Sequence, residues 1–408
     1  MIKLNSQNIF QSKIISEKDI KNLEDKIGIF LENIENKNQG FYKIFDDLSF
    51  VKKIENFSAK IKKENFSDIV ICGIGGSALG AKTIRDYFSL NKKNTLHIFD
   101  NIDPDTINKI FDLDIKKTLF LIISKSGTTI ETLAQYFYFK ELFTQKNLSL
   151  TKNFVFISEK NSFLHEESKI HESDFFEIPK NIGGRFSVLT SVGLLPAALL
   201  NIDIKKILAG AEDLSKKFLL KNISENICFQ LAAIQFLCLQ KKFSQNVLMP
   251  YASKLQTFCD WFEQLLAEST GKNKTGITPI GAIGVRDQHS LLQLFADGPL
   301  DKLLIFLEIN NFKNLLKLGE IKNFNFLNNK SFCEILKAEL EGTKNSLTEK
   351  NIPNISIKIP ELSSYYLGQL FFLFEGAVAF LGEFLKINAF DQPGVERGKI
   401  LAKKYLIN

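Results

Sequence analysis

Between residues 68 and 178 short, mostly apolar runs alternate with helix-like segments, and this alternation restricts the fold more than any other feature of the chain. Asp68 to Cys72, Thr95 to Phe99, Thr118 to Ile123 and Asn153 to Ile157 each read as a strand, and Phe175 to Ile178 as a fifth. Such runs suit strands buried on both faces. Helical segments lie between them: one from a glycine-rich stretch to about Leu90, one from about Asp103, and one from Thr128 to Thr144. The pattern predicts a parallel sheet flanked by helices. The second half opens with two long helices, from about Ile204 and about Glu225. Strands follow at Asn246 to Met249, Leu303 to Ile309 and Ile355 to Ile359, again with helices between them. The reading is an α/β protein with two lobes, each a parallel sheet flanked by helices. Its expected parts are an N-terminal helical arm (1–50), a first α/β domain (51–203) and a second α/β domain (204–408).

With 408 residues, of which 45% are hydrophobic, the chain can bury two such cores. Its net charge of +6 is carried by lysines spread along the whole length. Without basic blocks, that distribution reads as a solvated surface and argues against nucleic-acid binding. The cysteines are Cys72, Cys228, Cys238, Cys259 and Cys333. Their number is odd, no CxxC occurs, and most neighbours are apolar. Buried, reduced thiols are expected, and no Cys or His cluster suits zinc. Residues 1–20 contain no apolar signal core. The longest apolar stretch, Leu362 to Leu385, is broken by Glu375, Glu383 and glycines, which suits a buried core helix better than a membrane span. A cytosolic protein with no membrane partner is expected.

Several segments carry chemistry. Gly73-Ile74-Gly75-Gly76-Ser77-Ala78-Leu79-Gly80 follows a strand and opens a helix, where glycines admit a ligand to the backbone and the helix N-terminus favours an anion. The same segment fits the dinucleotide pattern, with Gly73, Gly75 and Ala78 in its three slots and Asp100 ending the next strand. Ser124-Lys125-Ser126-Gly127-Thr128-Thr129 follows the third strand. Four hydroxyls, a lysine and a glycine at a helix start suit a phosphate monoester, which takes several short hydrogen bonds. A dinucleotide fold has no evident use for this second loop, whereas a sugar phosphate does. Only four arginines occur, Arg85, Arg185, Arg286 and Arg397. In so lysine-rich a chain, each marks a place where the planar, permanently charged fork can matter. Arg185 lies in Gly183-Gly184-Arg185-Phe186-Ser187, just before a helix expected to begin near Ser187. Glu268-Ser269-Thr270-Gly271-Lys272 ends a helical run through Trp261 and Gln264. Asp287-Gln288-His289-Ser290 precedes a short apolar helix, and Asp391-Gln392-Pro393-Gly394 forms a turn leading into a helix with Lys399.

In this order the segments resemble the glucose-6-phosphate isomerase family, within the wider sugar isomerase (SIS) fold. GIGGSALG, SKSGTTIET, GGRFSVLTSVGLLP, AESTGK, DQHS and DQPGVERGK carry the resemblance, which runs from about Ile71 to Lys399. The phosphate loop reads SKSGTT where many members have SKTFTT, which leaves acceptance of mannose 6-phosphate open. The resemblance implies two SIS-type lobes and an aldose–ketose isomerase acting between glucose 6-phosphate and fructose 6-phosphate in glycolysis and gluconeogenesis. It implies Glu268 as the base between C1 and C2 and Arg185 as the stabiliser of the cis-enediolate. His289 and Lys399 would open the sugar ring, with His289 of the partner subunit completing each site of a homodimer. Ser124, Lys125, Ser126, Thr128 and Thr129 would hold the phosphate, and Gly76, Ser77, Gln264 and Gln392 would contact substrate. The chemistry asks for those parts independently: a carboxylate within reach of both carbons, positive charge at the enediolate oxygens and an acid/base pair for ring opening. None of these steps calls for a metal or other cofactor.

Overall fold

The computed structural model describes residues 1–88 and 95–407. The helix end expected near Leu90 lies outside them. Among the described residues the strands are β1 (Lys3–Asn5), β2 (Asp68–Cys72), β3 (Thr95–Phe99), β4 (Thr118–Ile123), β5 (Phe154–Ser158), β6 (Asp174–Glu177), β7 (Gln245–Pro250), β8 (Thr278–Gly281), β9 (Lys302–Asn311) and β10 (Asn354–Glu361). They form two five-stranded sheets, ordered β3-β2-β4-β5-β6 and β1-β10-β9-β7-β8. Every neighbouring pair is parallel except β1, which runs antiparallel to β10 with Leu4 opposite Ile357.

The chain divides into two compact units, Asn38–Glu212 and a second made of Met1–Lys37 with Asp213–Asn408. This differs from the division expected from sequence. Residues 1–37 join the second sheet because β1 pairs with its edge, and the division near residue 204 moves into the helix Ile204–Phe218. The N-terminal segment therefore contributes a strand as well as helices.

In the first unit, β4 and β5 are buried along their whole length, as a parallel sheet covered by helices requires. Helices α1 (Leu79–Phe88), α2 (Ile130–Gln145) and α3 (Ser191–Leu199) include the crossovers that matter for the site. The core is rich in phenylalanine. Phe120 stacks on Phe154 with centroids 4.9 Å apart, and Phe139, Phe143 and Phe156 close the same cluster. Each ring buried in full stabilises the fold by roughly 1.5–3 kcal/mol. In the order β3-β2-β4 the connections diverge between β2 and β4, so the crevice at their carboxyl ends is where an open α/β sheet binds ligands.

The second unit repeats that order on its own sheet. β7 lies between β8 and β9, with β10 beyond β9. Its helices include α4 (Ile227–Gln240), α5 (Gln256–Thr270), α6 (Phe332–Glu349), α7 (Ser364–Phe384) and α8 (Glu396–Ile407). The long apolar stretch is α7, and 94% of its most apolar window is buried inside the protein. Phe371 and Phe374 of α7 pack on Phe258, Trp261 and Phe262 of α5. These contacts seat the first half of α5, the helix that carries Glu268 at its far end, on α7. Cys72, Cys228, Cys238 and Cys259 are buried free thiols, while Cys333 is partly exposed.

Candidate active site

In the first unit the two loops expected to hold ligand leave neighbouring strands. Residues 73–78 follow β2 and residues 124–129 follow β4, so both emerge at the switch point of that sheet. The 124–129 loop is tied to β5. Ser124 N donates to Ile157 O (3.1 Å), Glu159 N donates to Lys125 O (3.1 Å), and the Ser158 hydroxyl donates to Ser124 O (2.7 Å). Thr129 stands at the N-cap of α2, yet its side chain caps nothing. Its hydroxyl is 2.8 Å from that of buried Ser124. Exposed Ser126 accepts from Thr128 N (3.2 Å) and from the Thr128 hydroxyl (3.1 Å). The first turn of a sixteen-residue helix thus faces the loop without a side-chain cap, which suits an anion. Lys125 is engaged already. Its ammonium donates to Lys180 O (3.0 Å) and lies 3.3 Å from Glu159 Oε1, so any part in phosphate binding is through its charge.

Gly76 and Ser77 lie in a turn, Gly75–Ser77, packed against the turn Gly184–Phe186. The approach is backbone to backbone. A Cβ on Gly76 would stand 2.3 Å from Gly184 O and 2.8 Å from Arg185 N, so any larger residue would push the two turns apart. The helix expected near Ser187 begins at Ser191, because Thr190 is its N-cap and accepts from Val192 N (3.2 Å). Arg185 itself is 3% exposed, with its guanidinium 5.7 Å from the Phe186 ring centre. A charge that does not titrate is held out of bulk water beside the β2 loop.

In the second unit, Glu268 lies on the last turn of α5. Gln264, one turn earlier, donates from Nε2 to Glu268 Oε1 (3.0 Å). The residue expected to bind substrate therefore also orients the expected base. Lys272 finishes the helix by donating to the carbonyls of Glu268 and Ser269 (2.9 Å each). The same ammonium lies 3.5 Å from Asp391 Oδ1, linking the end of α5 to the segment that carries Gln392. The quoted motifs contained Lys272 and Asp391, but their roles depend on contacts that a motif does not display. Glu263 is a further carboxylate of α5, on a different face from Glu268. It accepts from Gly281 N (2.7 Å) and so anchors β8, while burial pushes its carboxyl above the ordinary range. His289 is exposed at the end of the turn Arg286–His289, and among the described residues its ring makes no hydrogen bond or ion pair. Lys399 is exposed on α8 and holds Glu396 (2.8 Å).

Comparison with known proteins shows the family. The family described as phosphoglucose isomerase matches residues 48–407. The chain is 38% identical to a probable glucose-6-phosphate isomerase of Methanococcus maripaludis, covering 99% of this chain and 90% of that protein. It is 36% identical to a glucose-6-phosphate isomerase of Carboxydothermus hydrogenoformans, covering 98% and 93%. A crystal structure of a hypothetical protein from Thermus thermophilus superposes over 100% of both chains, with a TM-score of 0.92 and 30% identity. A hydroxyl-rich loop at an uncapped helix start, a buried arginine beside a glycine turn and an oriented glutamate occupy segments inside a family match that spans nearly the whole chain, and on that ground the chain belongs to the phosphoglucose isomerase family.

Proposed function

We propose that this protein is a glucose-6-phosphate isomerase, interconverting glucose 6-phosphate and fructose 6-phosphate through a cis-enediolate. The observation that carries the reading is the 124–129 loop, with its uncapped helix start and paired hydroxyls at the switch point of the first sheet. A phosphate monoester there takes hydrogen bonds from Ser126, Thr128, the first turn of α2 and the Ser124–Thr129 pair, with Lys125 adding positive charge.

Glu268 takes the proton from one carbon and returns it to the other, with Gln264 fixing the carboxylate oxygen that is not reacting. Arg185 faces the charge that develops on the enediolate oxygens. Because it is buried and charged before substrate arrives, it needs no reorganisation during the step. His289 and Lys399 move the protons that open the ring, and Gly76, Ser77 and Gln392 contact the sugar. The enzyme works in the cytosol, in keeping with its free thiols. It is a homodimer in which His289 of the partner subunit completes each site. Two features support that state. His289 is exposed, and α8 buries none of its residues while Ile400, Tyr405, Leu406 and Ile407 stand open. A coupled assay from fructose 6-phosphate to glucose 6-phosphate, with no added metal, tests the activity. Turnover is the expected result, and its absence from a folded, pure preparation overturns the proposal.

A further inference from the structure

His289 makes no hydrogen bond or ion pair among the described residues, so the backbone of residues 282–290 sets where its imidazole stands. Part of that segment is closed locally. Asp287 accepts from Ile283 N (2.6 Å) and from the Ser290 hydroxyl (3.0 Å). The residue before His289, Gln288, is tied instead to two distant elements. The Tyr251 hydroxyl donates to Gln288 Oε1 (2.6 Å), and Gln288 Nε2 donates to Glu339 Oε2 on α6 (3.1 Å).

Tyr251 is itself fixed. It follows β7, its N donates to Leu307 O (3.0 Å), and it is 1% exposed. Its ring lies flush against the turn: a Cβ on Gly284 would stand 2.3 Å from the tyrosine ring edge. Burial pushes the phenol up to about 12, so it keeps its proton and always donates. A buried phenol thus reaches from the end of β7 to the residue adjoining the imidazole.

We propose that Tyr251 is a positioning residue for ring opening: the relay Tyr251–Gln288–Glu339 fixes the turn that presents His289. The proposal rests on the assignment of His289 to ring opening. An acid/base group works only within hydrogen-bond reach of its proton, and a small misplacement costs rate out of proportion to its size. The relay therefore matters for cyclic substrate and not for proton transfer on an open chain.

Two ketose phosphates separate those cases. Fructose 6-phosphate is mostly cyclic, whereas 5-deoxyfructose 6-phosphate lacks the hydroxyl that closes the ring and is always open. Exchange of the C1 proton in deuterated water is measured for both. Tyr251→Phe keeps the packed ring and deletes only the hydroxyl. It is expected to slow exchange on fructose 6-phosphate roughly threefold to tenfold, the equivalent of one net hydrogen bond. The open substrate is expected to change less than twofold. Gln288→Ala, which cuts the relay while leaving the phenol in place, is expected to give the same split. His289→Ala is expected to give a larger one. Equal slowing on both substrates in both relay variants, or no slowing on either, overturns the proposal. If His289→Ala shows the split and the relay variants do not, only the role of Tyr251 falls. If His289→Ala shows no split, the assignment of His289 falls and the relay with it.

Discussion

Arg185 shows how much a single residue type can disclose. Lysine and arginine together number 52, only four of them arginine. Arg85 pairs with Asp86 and Arg286 with Asp287, while Arg397 is exposed. Arg185 alone of the four is buried. Arg185→Lys keeps one charge but loses the fork, so activity is expected to fall by about 3 kcal/mol, roughly a hundredfold. Steady-state kinetics and circular dichroism check this, and a folded variant within threefold of wild type contradicts the role. Arg185 stands out in the sequence because its type departs from the habit of the chain, and the structure adds its burial. Lys272 and Tyr251 do not stand out, because one ends a helix through backbone carbonyls and the other acts through a neighbour's amide. Neither contact leaves a mark in local sequence. Gln264 is named from the sequence as a candidate, but its bond to Glu268 needs the helix register to be known.

The expected strands at 68–72, 95–99 and 118–123 coincide with β2, β3 and β4. β2 and β4 lie inside the sheet and write near-continuous apolar runs, while β3 is a half-exposed edge bounded by turn residues. Two strands escaped the pattern. β1 is three residues at a sheet edge, and β8 reads Thr-Pro-Ile-Gly, whose proline is tolerated because β8 is also an edge. Helix α7 was legible as core, but the cost inside it was not. Glu375 is fully buried, and neither of its carboxyl oxygens has a hydrogen-bond partner among the described residues. Burial pushes this group well above its ordinary value of 4.5, so it is neutral in the fold. In the unfolded chain it ionises near that ordinary value. Between the two values the folded state binds more protons, and each pH unit crossed costs about 1.4 kcal/mol of stability. The contribution is complete below the unfolded value and is lost as pH rises through the folded one. Glu375→Gln carries no charge at any pH, so its advantage in urea midpoint over wild type is expected to grow as pH rises above the ordinary carboxylate value. Fluorescence of Trp261, the single tryptophan, follows the transition. An advantage that stays constant with pH contradicts the neutral carboxyl.

On the scale of the whole molecule, each sheet places its first parallel strand between the second and the third, with the fourth beyond. That shared order is what a duplicated lobe predicts. It was foreshadowed by the repeated strand–helix pattern, whereas the pairing of β1 with β10 spans more than 350 residues and no local signal announces it. The proposed dimer makes a quantitative prediction of its own. Homodimers of Glu268→Gln and of His289→Ala are each expected to be nearly inactive. A hybrid of the two chains unites the intact Glu268 of one with the intact His289 of the other at one of its two sites. Its activity is expected near half that of wild type, and a hybrid no better than its parents contradicts a shared site. The central claim, that Glu268 carries the proton between C1 and C2, is tested most directly by isotope. Wild-type enzyme converting fructose 6-phosphate in deuterated water is expected to place deuterium at C2 of the glucose 6-phosphate formed, because a proton on a carboxylate exchanges with solvent while the enediolate waits. In Glu268→Gln, which keeps the side-chain shape but accepts no proton, conversion and label are both expected nearly to vanish. Deuterium still appearing at C2 with that variant would contradict the account.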